Sequence, residues 1–412
     1  MAEEENLLFI ECTREDSEQA ILNELRTHYD DGTGLAGDPT GSMEVHFKDE
    51  NSVGSAVKRE WFGLVSEALL APSAGLFQTV DLGRSVRPMP MLESDERFAA
   101  RLRDFEMIGR FLGLALLQQI TIGIRLHASV CRMLLNDCEP WDWSYEEIRE
   151  LDPLLYQYKV RYVLDNDVDD LGLDFSDAVH DSAAGCNQHI STARVDLIPG
   201  GSDIEVTNAN KAEFVRLVCE WRLFGSIREQ CRAMCRGFHV AIPRHIVAQL
   251  AQLIQPSDLT RLLAGEPRID VHDWEKNCSC AGGMKRSDKV FRWFWRAVRS
   301  FTEIEQEQLL QFVTGSRRPP VGGFAYLEGF NGGIHKFTIF ASTKPKDSLP
   351  RAHACICTID LPECSSYKAL RRSIHTALTM GSVGFDDAAI AGGDADEQTE
   401  SSAAPGARRQ GG

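Results

Sequence analysis

Residues 349–357 of this chain read Leu-Pro-Arg-Ala-His-Ala-Cys-Ile-Cys, and they carry the densest set of reactive side chains in the sequence. In an extended chain, residues two apart point to the same side, so an extended segment would place His353, Cys355 and Cys357 on one face. A histidine beside a thiol can hold or accept its proton and raise the fraction of thiolate. From these residues alone two interpretations stay open: a reactive cysteine, or a structural cysteine at the end of a strand.

Short β patterns and helices surround this segment. β-like patterns cover residues 336–341 and 355–359, and a final helix is predicted over residues 366–379. Earlier in the chain, residues 291–298 predict an aromatic helix and residues 305–313 predict a second one. The cysteine segment is therefore expected to lie in a small unit that mixes strands and helices.

The first half of the chain is predicted to be mainly helical. Residues 105–135 carry apolar side chains at spacings of three and four, which is typical of helices with one buried face. Gly109 and Gly113 in this stretch indicate close helix packing, and Gly123 is expected to separate two helices.

Local start and turn signals divide the rest of this half. Ser144 precedes Glu147 by three residues, which predicts a capping box at the start of a helix. A hairpin is predicted from β patterns at residues 193–197 and 204–206 with a Pro-Gly-Gly turn between them. A single helix is then predicted over about residues 211–236.

A linker is predicted at residues 262–268, which read Leu-Leu-Ala-Gly-Glu-Pro-Arg. Gly265 ends a helix there, and Pro267 prevents its continuation. Residues 388–412 contain almost no large apolar side chain, so a disordered tail is predicted. The chain therefore divides into two units and a tail.

Charge and hydropathy exclude several classes of function. The formal net charge is −17, which argues against nucleic acid as a partner, because phosphate binding needs clustered positive charge. No apolar run reaches the roughly 18 residues of a membrane span, and the N-terminal residues do not resemble a signal peptide. We therefore expect no membrane span and a location in the cytoplasm or the nucleus.

The 12 cysteines show no framework spacing, so reduced thiols are expected. None of them forms a Cys-x-x-Cys pair, which argues against a zinc site. The sequence has no Gly-Lys-Ser/Thr phosphate loop and no Gly-x-Ser-x-Gly elbow. We therefore predict neither a metal nor a cofactor.

Motifs along most of the chain occur in the order found in one known family. They include Arg59-Glu60-Trp61-Phe62, Pro199-Gly200-Gly201, Trp293-Phe294-Trp295, Leu309 to Ser316, and His353-Ala354-Cys355 followed by Asp360-Leu361-Pro362. Together they resemble the catalytic domain of HECT-type ubiquitin ligases over residues 44–386. That family usually has His-Thr-Cys-Phe-Asn at the cysteine, so Ala354, Ile356 and Cys357 depart from the pattern.

The resemblance implies an α+β fold with two lobes. A mostly helical N-lobe would cover residues 1–264, with a conjugating-enzyme-binding sub-lobe at about residues 140–225. A smaller α/β C-lobe with the catalytic cysteine would cover residues 269–387. A flexible hinge would join them, formed by Gly265, Glu266, Pro267 and Arg268.

The resemblance also implies the chemistry, that of a ubiquitin transferase. Ubiquitin would pass from a ubiquitin-conjugating enzyme to Cys355 as a thioester, and then to a lysine of a protein substrate, with proteasomal degradation as the expected fate. His353 would orient or polarise groups at the thiol, and Phe385 matches a near-terminal phenylalanine that helps the transfer to lysine. The groove for the conjugating enzyme would include apolar residues, each of which could equally be core: Leu155, Tyr156, Tyr162, Leu164, Leu171 and Phe214.

Two alternatives to an active ligase remain open from the sequence. A binding-only relative would dock the conjugating enzyme but transfer poorly, and the replacements at Ala354, Ile356 and Cys357 motivate it. A cysteine hydrolase would use Cys355 with His353, and it would need a further Asn or Asp to orient the histidine.

Overall fold

The computed structural model describes residues 7–13, 17–30, 42–48, 54–92, 95–181, 191–329 and 333–381. Phe385 and the predicted tail at residues 388–412 lie outside the described residues. The buried apolar side chains form two groups, here called the first cluster, from Ile10 to Leu263, and the second cluster, from Trp274 to Leu378. The change from one cluster to the other falls at the predicted linker.

Helices dominate the part of the chain that forms the first cluster. They are α1 (Glu18–Asp30), α2 (Ser55–Leu70), α3 (Phe98–Leu117), α4 (Ala128–Leu135), α5 (Tyr145–Leu151), α6 (Pro153–Leu155), α7 (Tyr162–Asp165), α8 (Lys211–Leu223), α9 (Arg228–Ala241), α10 (Arg244–Leu253) and α11 (Pro256–Ala264), with a π-helical stretch at Tyr156–Arg161. The predicted capping box of Ser144 and Glu147 starts α5, so that prediction is confirmed.

Within the described part of the chain, three two-stranded sheets accompany these helices. Strand β1 (Leu7–Cys12) pairs in parallel with β2 (Ser42–Phe47). Strand β3 (Phe77–Val80) pairs antiparallel with β4 (Ser85–Pro88), and β5 (Ser176–Asp181) pairs antiparallel with β6 (Ser191–Asp196).

The centre of the first cluster is the contact between α3 and α9. A Cβ added at Gly109 would overlap the carbonyl oxygen of Met234, and one added at Gly237 would overlap that of Glu106. Only glycine lets two helix backbones approach this closely. The predicted close packing is confirmed, and so is the separate helix after Gly123, since α4 begins at Ala128.

In residues 269–381, as far as the structure describes them, a four-stranded sheet and four helices form the second cluster. The helices are α12 (Val271–Lys276), α13 (Lys289–Ser300), α14 (Glu303–Thr314) and α15 (Tyr367–Gly381). The strands are β7 (Ser279–Ala281), β8 (Thr338–Ala341), β9 (Arg351–His353) and β10 (Thr358–Leu361), in the sheet order β7-β8-β10-β9. Strand β8 runs parallel to β7 and β10, whereas β9 is an antiparallel edge strand.

Two predictions for the first half were wrong. The helix predicted over residues 211–236 is interrupted by a turn at Gly225–Ile227, where a Cβ at Gly225 would lie 2.9 Å from the ring of Trp221. The predicted hairpin does not form, because β6 pairs with β5, and Glu205 makes only an isolated bridge to Asp174. Strand β5 was missed because its sequence is polar.

Within the described residues, no helix combines the length and the apolar character that a membrane crossing requires.

Candidate active site around Cys355

Cys355 lies on a 3-10 turn, Ala354–Ile356, between the edge strand β9 and strand β10. The extended segment expected from the sequence therefore ends at His353. Cys357 follows the turn with φ +50° and is fully buried, whereas His353 and Cys355 are exposed. The prediction that all three side chains share one face was wrong, because the turn reverses the chain at the cysteine.

The two neighbouring thiols have opposite environments. The Cys357 thiol donates to the carbonyl oxygen of Glu328 at 3.4 Å, and burial raises the pKa of this thiol to about 11. A buried thiol that stays protonated is a poor nucleophile. Of the eleven cysteines in the described residues, Cys355 is the exposed one and Cys280 is half-buried, while the others are buried. Accessibility therefore singles out Cys355.

His353 is directed to a carboxylate rather than to the thiol. Its Nε2 lies 3.1 Å from Asp360 Oδ2, across the pair of strands β9 and β10. Among the residues that the structure describes, no hydrogen bond joins this ring to Cys355. A Cys–His pair of the kind that cysteine hydrolases use is thus not formed here.

The main chain of the turn is held by a residue from the first cluster. Arg59 on α2 donates from Nη2 to the Ala354 carbonyl at 3.2 Å, from Nη1 to the Glu328 carbonyl at 3.4 Å, and from Nε to the Thr314 carbonyl at 2.8 Å. Sequence reasoning quoted Arg59 only as part of a family motif. No spacing signal connects it to Cys355, which lies almost 300 residues later.

The predicted hinge is tied to the second cluster. Glu266 N donates to the carbonyl of Pro319 at 3.1 Å, and the Glu266 carboxylate accepts from Arg261 at 2.7 Å and from Gly322 N at 3.3 Å. Arg318 in turn donates to the Pro267 carbonyl at 2.8 Å. Gly265 has φ +77°, which glycine adopts without strain.

The six predicted docking residues occupy three kinds of environment. Tyr162 and Leu171 are exposed, at 48% and 44% of their surface. Leu155, Tyr156 and Leu164 are partly buried and pack against the first cluster. Phe214 is only 1% exposed, so its side chain belongs to the core.

Two exposed residues near this set were missed. Leu154 is 60% exposed and Tyr158 is 68% exposed. Together with Tyr162 they recur every four residues along α6, the π-helical stretch and α7, and this spacing places them on one face of the helix. We call these three residues the exposed stripe.

Phe214 is fixed from several sides beneath this region. Its ring packs edge to face on Phe175 with centroids 5.6 Å apart, and Lys159 Nζ lies 5.6 Å from the ring centroid. Lys159 also donates to the buried Asp177 at 2.8 Å, and Arg222 bonds to the same carboxylate. These two cations hold the pKa of Asp177 below its usual value although burial acts in the opposite direction.

The described residues contain no group of three His, Cys, Asp or Glu side chains arranged as metal ligands.

A profile of the HECT-domain (ubiquitin-transferase) family matches residues 63–387, which include the Cys355 turn and the second cluster. The chain belongs to the HECT-domain family. The mixed helix and strand content of both clusters agrees with the expected α+β class. Arg59 lies just before the matched range.

Curated relatives named as E3 ubiquitin-protein ligases match over most of this chain. The E3 ubiquitin-protein ligase HACE1 of Xenopus tropicalis is 36% identical over 343 residues, or 83% of this chain and 36% of that protein. The Homo sapiens protein of the same name gives the same values. The E3 ubiquitin-protein ligase TOM1-like of Neurospora crassa is 34% identical over 345 residues, 83% of this chain but 8% of its own length. The chain thus spans about a third or less of these relatives.

Proposed function

We propose that this chain is the catalytic part of a HECT-type ubiquitin-protein ligase, with Cys355 as the residue that carries ubiquitin. The observation that supports it most directly is the exposure of Cys355 on a turn inside the matched HECT region, while nearly all other described cysteines are buried. The names of the relatives support the same activity.

The proposed reaction has two acyl transfers. The Cys355 thiolate attacks the thioester carbonyl of ubiquitin on the conjugating enzyme, a new C–S bond forms, and the enzyme's cysteine leaves as a thiolate. A substrate lysine then attacks the Cys355 thioester as a free amine, the C–N bond forms, Cys355 leaves as a thiolate, and the amine proton passes to solvent. Exchange between two thioesters is close to balanced in energy, so the protein mainly supplies positioning.

Residues around the thiol take supporting roles in this proposal. His353, held by Asp360, orients groups at the edge of the turn. The two clusters correspond to an N-lobe and a C-lobe, and residues 265–268 act as the hinge between them. Phe385 keeps its proposed role in the transfer to lysine. We also propose a location in the cytoplasm or the nucleus, with degradation of the modified substrate.

The conjugating enzyme docks on the exposed stripe and Leu171 in this proposal. Three large apolar or aromatic side chains on one helix face offer the kind of small hot spot that protein interfaces use. Leu155 and Leu164 in the same region are partly buried and pack against the first cluster. Phe214 stabilises the core beneath the exposed stripe and does not contact the conjugating enzyme.

The test mixes the chain with a conjugating enzyme that carries labelled ubiquitin. The expected product is a ubiquitin adduct that reducing agent removes, and Cys355→Ser should give an ester-linked adduct that survives reduction. Cys357→Ala is the matched control and should still form the reducible adduct. An adduct that persists in Cys355→Ala would refute the assignment of the nucleophile. Binding without any adduct would favour the binding-only relative, and peptide hydrolysis would favour a cysteine hydrolase.

A further inference from the structure

The side chain of Arg59 connects three separate segments of the second cluster. Arg59 belongs to α2, whose neighbouring residues Val57 and Trp61 are buried in the first cluster. Its guanidinium reaches the carbonyl at the end of α14, the carbonyl of Glu328, and the carbonyl of Ala354 next to Cys355. One side chain of the first cluster therefore fixes the main chain on which the thiol is mounted.

Arginine suits this task better than any other cation. Its planar guanidinium presents five N–H donors in a fixed fork, so it can bond to several carbonyls in different directions. Burial lowers the pKa of Arg59, while the nearby Glu328 carboxylate acts in the opposite direction. A second bond from α2, from Ser55 Oγ to the Gly329 carbonyl at 3.3 Å, reinforces the same contact.

The contact holds the main chain and leaves the reactive side chain free. Cys355 stays exposed while the carbonyl of the preceding residue is bound. Gly329 backs the turn so closely that a Cβ there would lie 2.8 Å from the Cys355 carbonyl oxygen. Beside it, α2 and the segment that contains Leu327 and Glu328 line a common cleft of about 500 Å³.

The proposed loading surface lies on a different part of the first cluster. The exposed stripe spans residues 154–162, and among the described residues no hydrogen bond joins the Ala354–Ile356 turn to residues 140–225. The docked turn and the conjugating enzyme therefore use separate surfaces. Loading and discharge would then favour different positions of the turn, as expected for a transferase that works by lobe movement.

We propose that Arg59 is a positioning residue that docks the Cys355 turn for discharge of ubiquitin to the acceptor lysine; this rests on the proposed function. Without the three hydrogen bonds, the turn would spend less time docked and its orientation would vary. Small errors in orientation slow acyl transfer strongly. Loading needs the turn to be away from α2, so loss of Arg59 should leave it largely unchanged.

Single-turnover pulse-chase with the whole chain tests this proposal. Ubiquitin is first loaded from the charged conjugating enzyme, and its discharge is then followed after free lysine is added. Arg59→Ala should load within about twofold of wild type and discharge about ten- to a hundredfold more slowly. Arg59→Lys keeps the charge but not the fork, so its discharge rate should lie between the two.

Lys58→Ala is the matched control. Lys58 is the adjacent cation on α2 and donates to Gln118, not to the turn, so both steps should proceed at the wild-type rate. Melting curves of every variant show whether it is folded, and Arg59→Lys carries the test if Arg59→Ala is not. Unchanged discharge in a folded Arg59 variant would overturn the proposal, and so would equal slowing of both steps. Failure of the wild-type chain to form any adduct would instead refute the proposed function.

Discussion

The burial of Phe214 separates two roles that the sequence left open, because a core residue and a docking residue respond differently to truncation. Phe214→Ala removes a ring that is 1% exposed and packs on Phe175. The ring also lies beneath Lys159, whose ammonium bonds to the buried Asp177. We therefore expect the substitution to leave a cavity in the first cluster and to loosen the helices that carry the exposed stripe.

The magnitude follows from this environment. Removal of a fully buried phenylalanine costs about 3–5 kcal/mol, of which an edge-to-face contact accounts for about 1 kcal/mol. In a unit of this size, 1 kcal/mol corresponds to a change in melting temperature of about 2–4 °C. Phe214→Ala should therefore lower the melting temperature by about 6–20 °C.

Tyr158→Ala is the matched substitution on the surface. Its side chain is 68% exposed, so stability should change by less than about 0.5 kcal/mol. If the exposed stripe docks the conjugating enzyme, affinity should fall by about 2 kcal/mol, or roughly 30-fold. Calorimetry and binding are measured on the same samples. Normal melting of Phe214→Ala would refute the core assignment, and full affinity of Tyr158→Ala would refute the docking surface.

Two further predictions concern the hinge and acid stability. Proline at both Glu266 and Arg268 should slow ubiquitin transfer with both clusters still folded, because it stiffens the backbone and removes the N–H that bonds to Pro319. Glu266→Ala, which keeps that N–H, is the control. An unchanged single-turnover rate in the double-proline variant would contradict the prediction. Burial lowers the pKa of His127 to about 4, and its Nδ1 accepts from Ser129 N only when the ring is neutral. In the unfolded chain this histidine takes up a proton near pH 6.5, so its contribution to stability is fully present above that pH. The free energy of unfolding should fall by about 2 kcal/mol between pH 7.5 and 5. In urea unfolding His127→Asn should show a smaller fall, and an equal fall in both proteins would exclude His127 as its cause.

Short sequence patterns predicted a structural feature correctly where that feature depends only on neighbouring residues. The capping box of Ser144 and Glu147 needs only four residues, and the helix end at Gly265 needs only one residue with a positive φ. The glycines at 109 and 113 were informative because a missing side chain in a helix is costly unless a second backbone approaches. The cap and the helix end were predicted correctly because no distant partner alters them.

Features that depend on distant partners were missed or misassigned. The pairing of β6 with β5 buries Ser176 and Asp177, and a polar stretch of sequence does not indicate such burial. The same holds for Arg59, whose three acceptors are main-chain carbonyls that have no sequence signature. The cysteine was predicted from its family motif, but its turn and its support became evident only from the fold.

The departures from the family motif at Ala354, Ile356 and Cys357 change the residues that form the turn and leave the Cys355 thiol itself unchanged. Ala354 is buried, so a small side chain fits there, and Ile356 points to solvent at 41% exposure. Cys357 adopts a left-handed conformation, which costs a cysteine about 1 kcal/mol. The family's usual asparagine adopts this conformation more readily. The Cys357 thiol offsets part of that cost by bonding to the Glu328 carbonyl, the same oxygen that Arg59 binds. The departures from the motif therefore give no reason by themselves to expect a cysteine that cannot transfer.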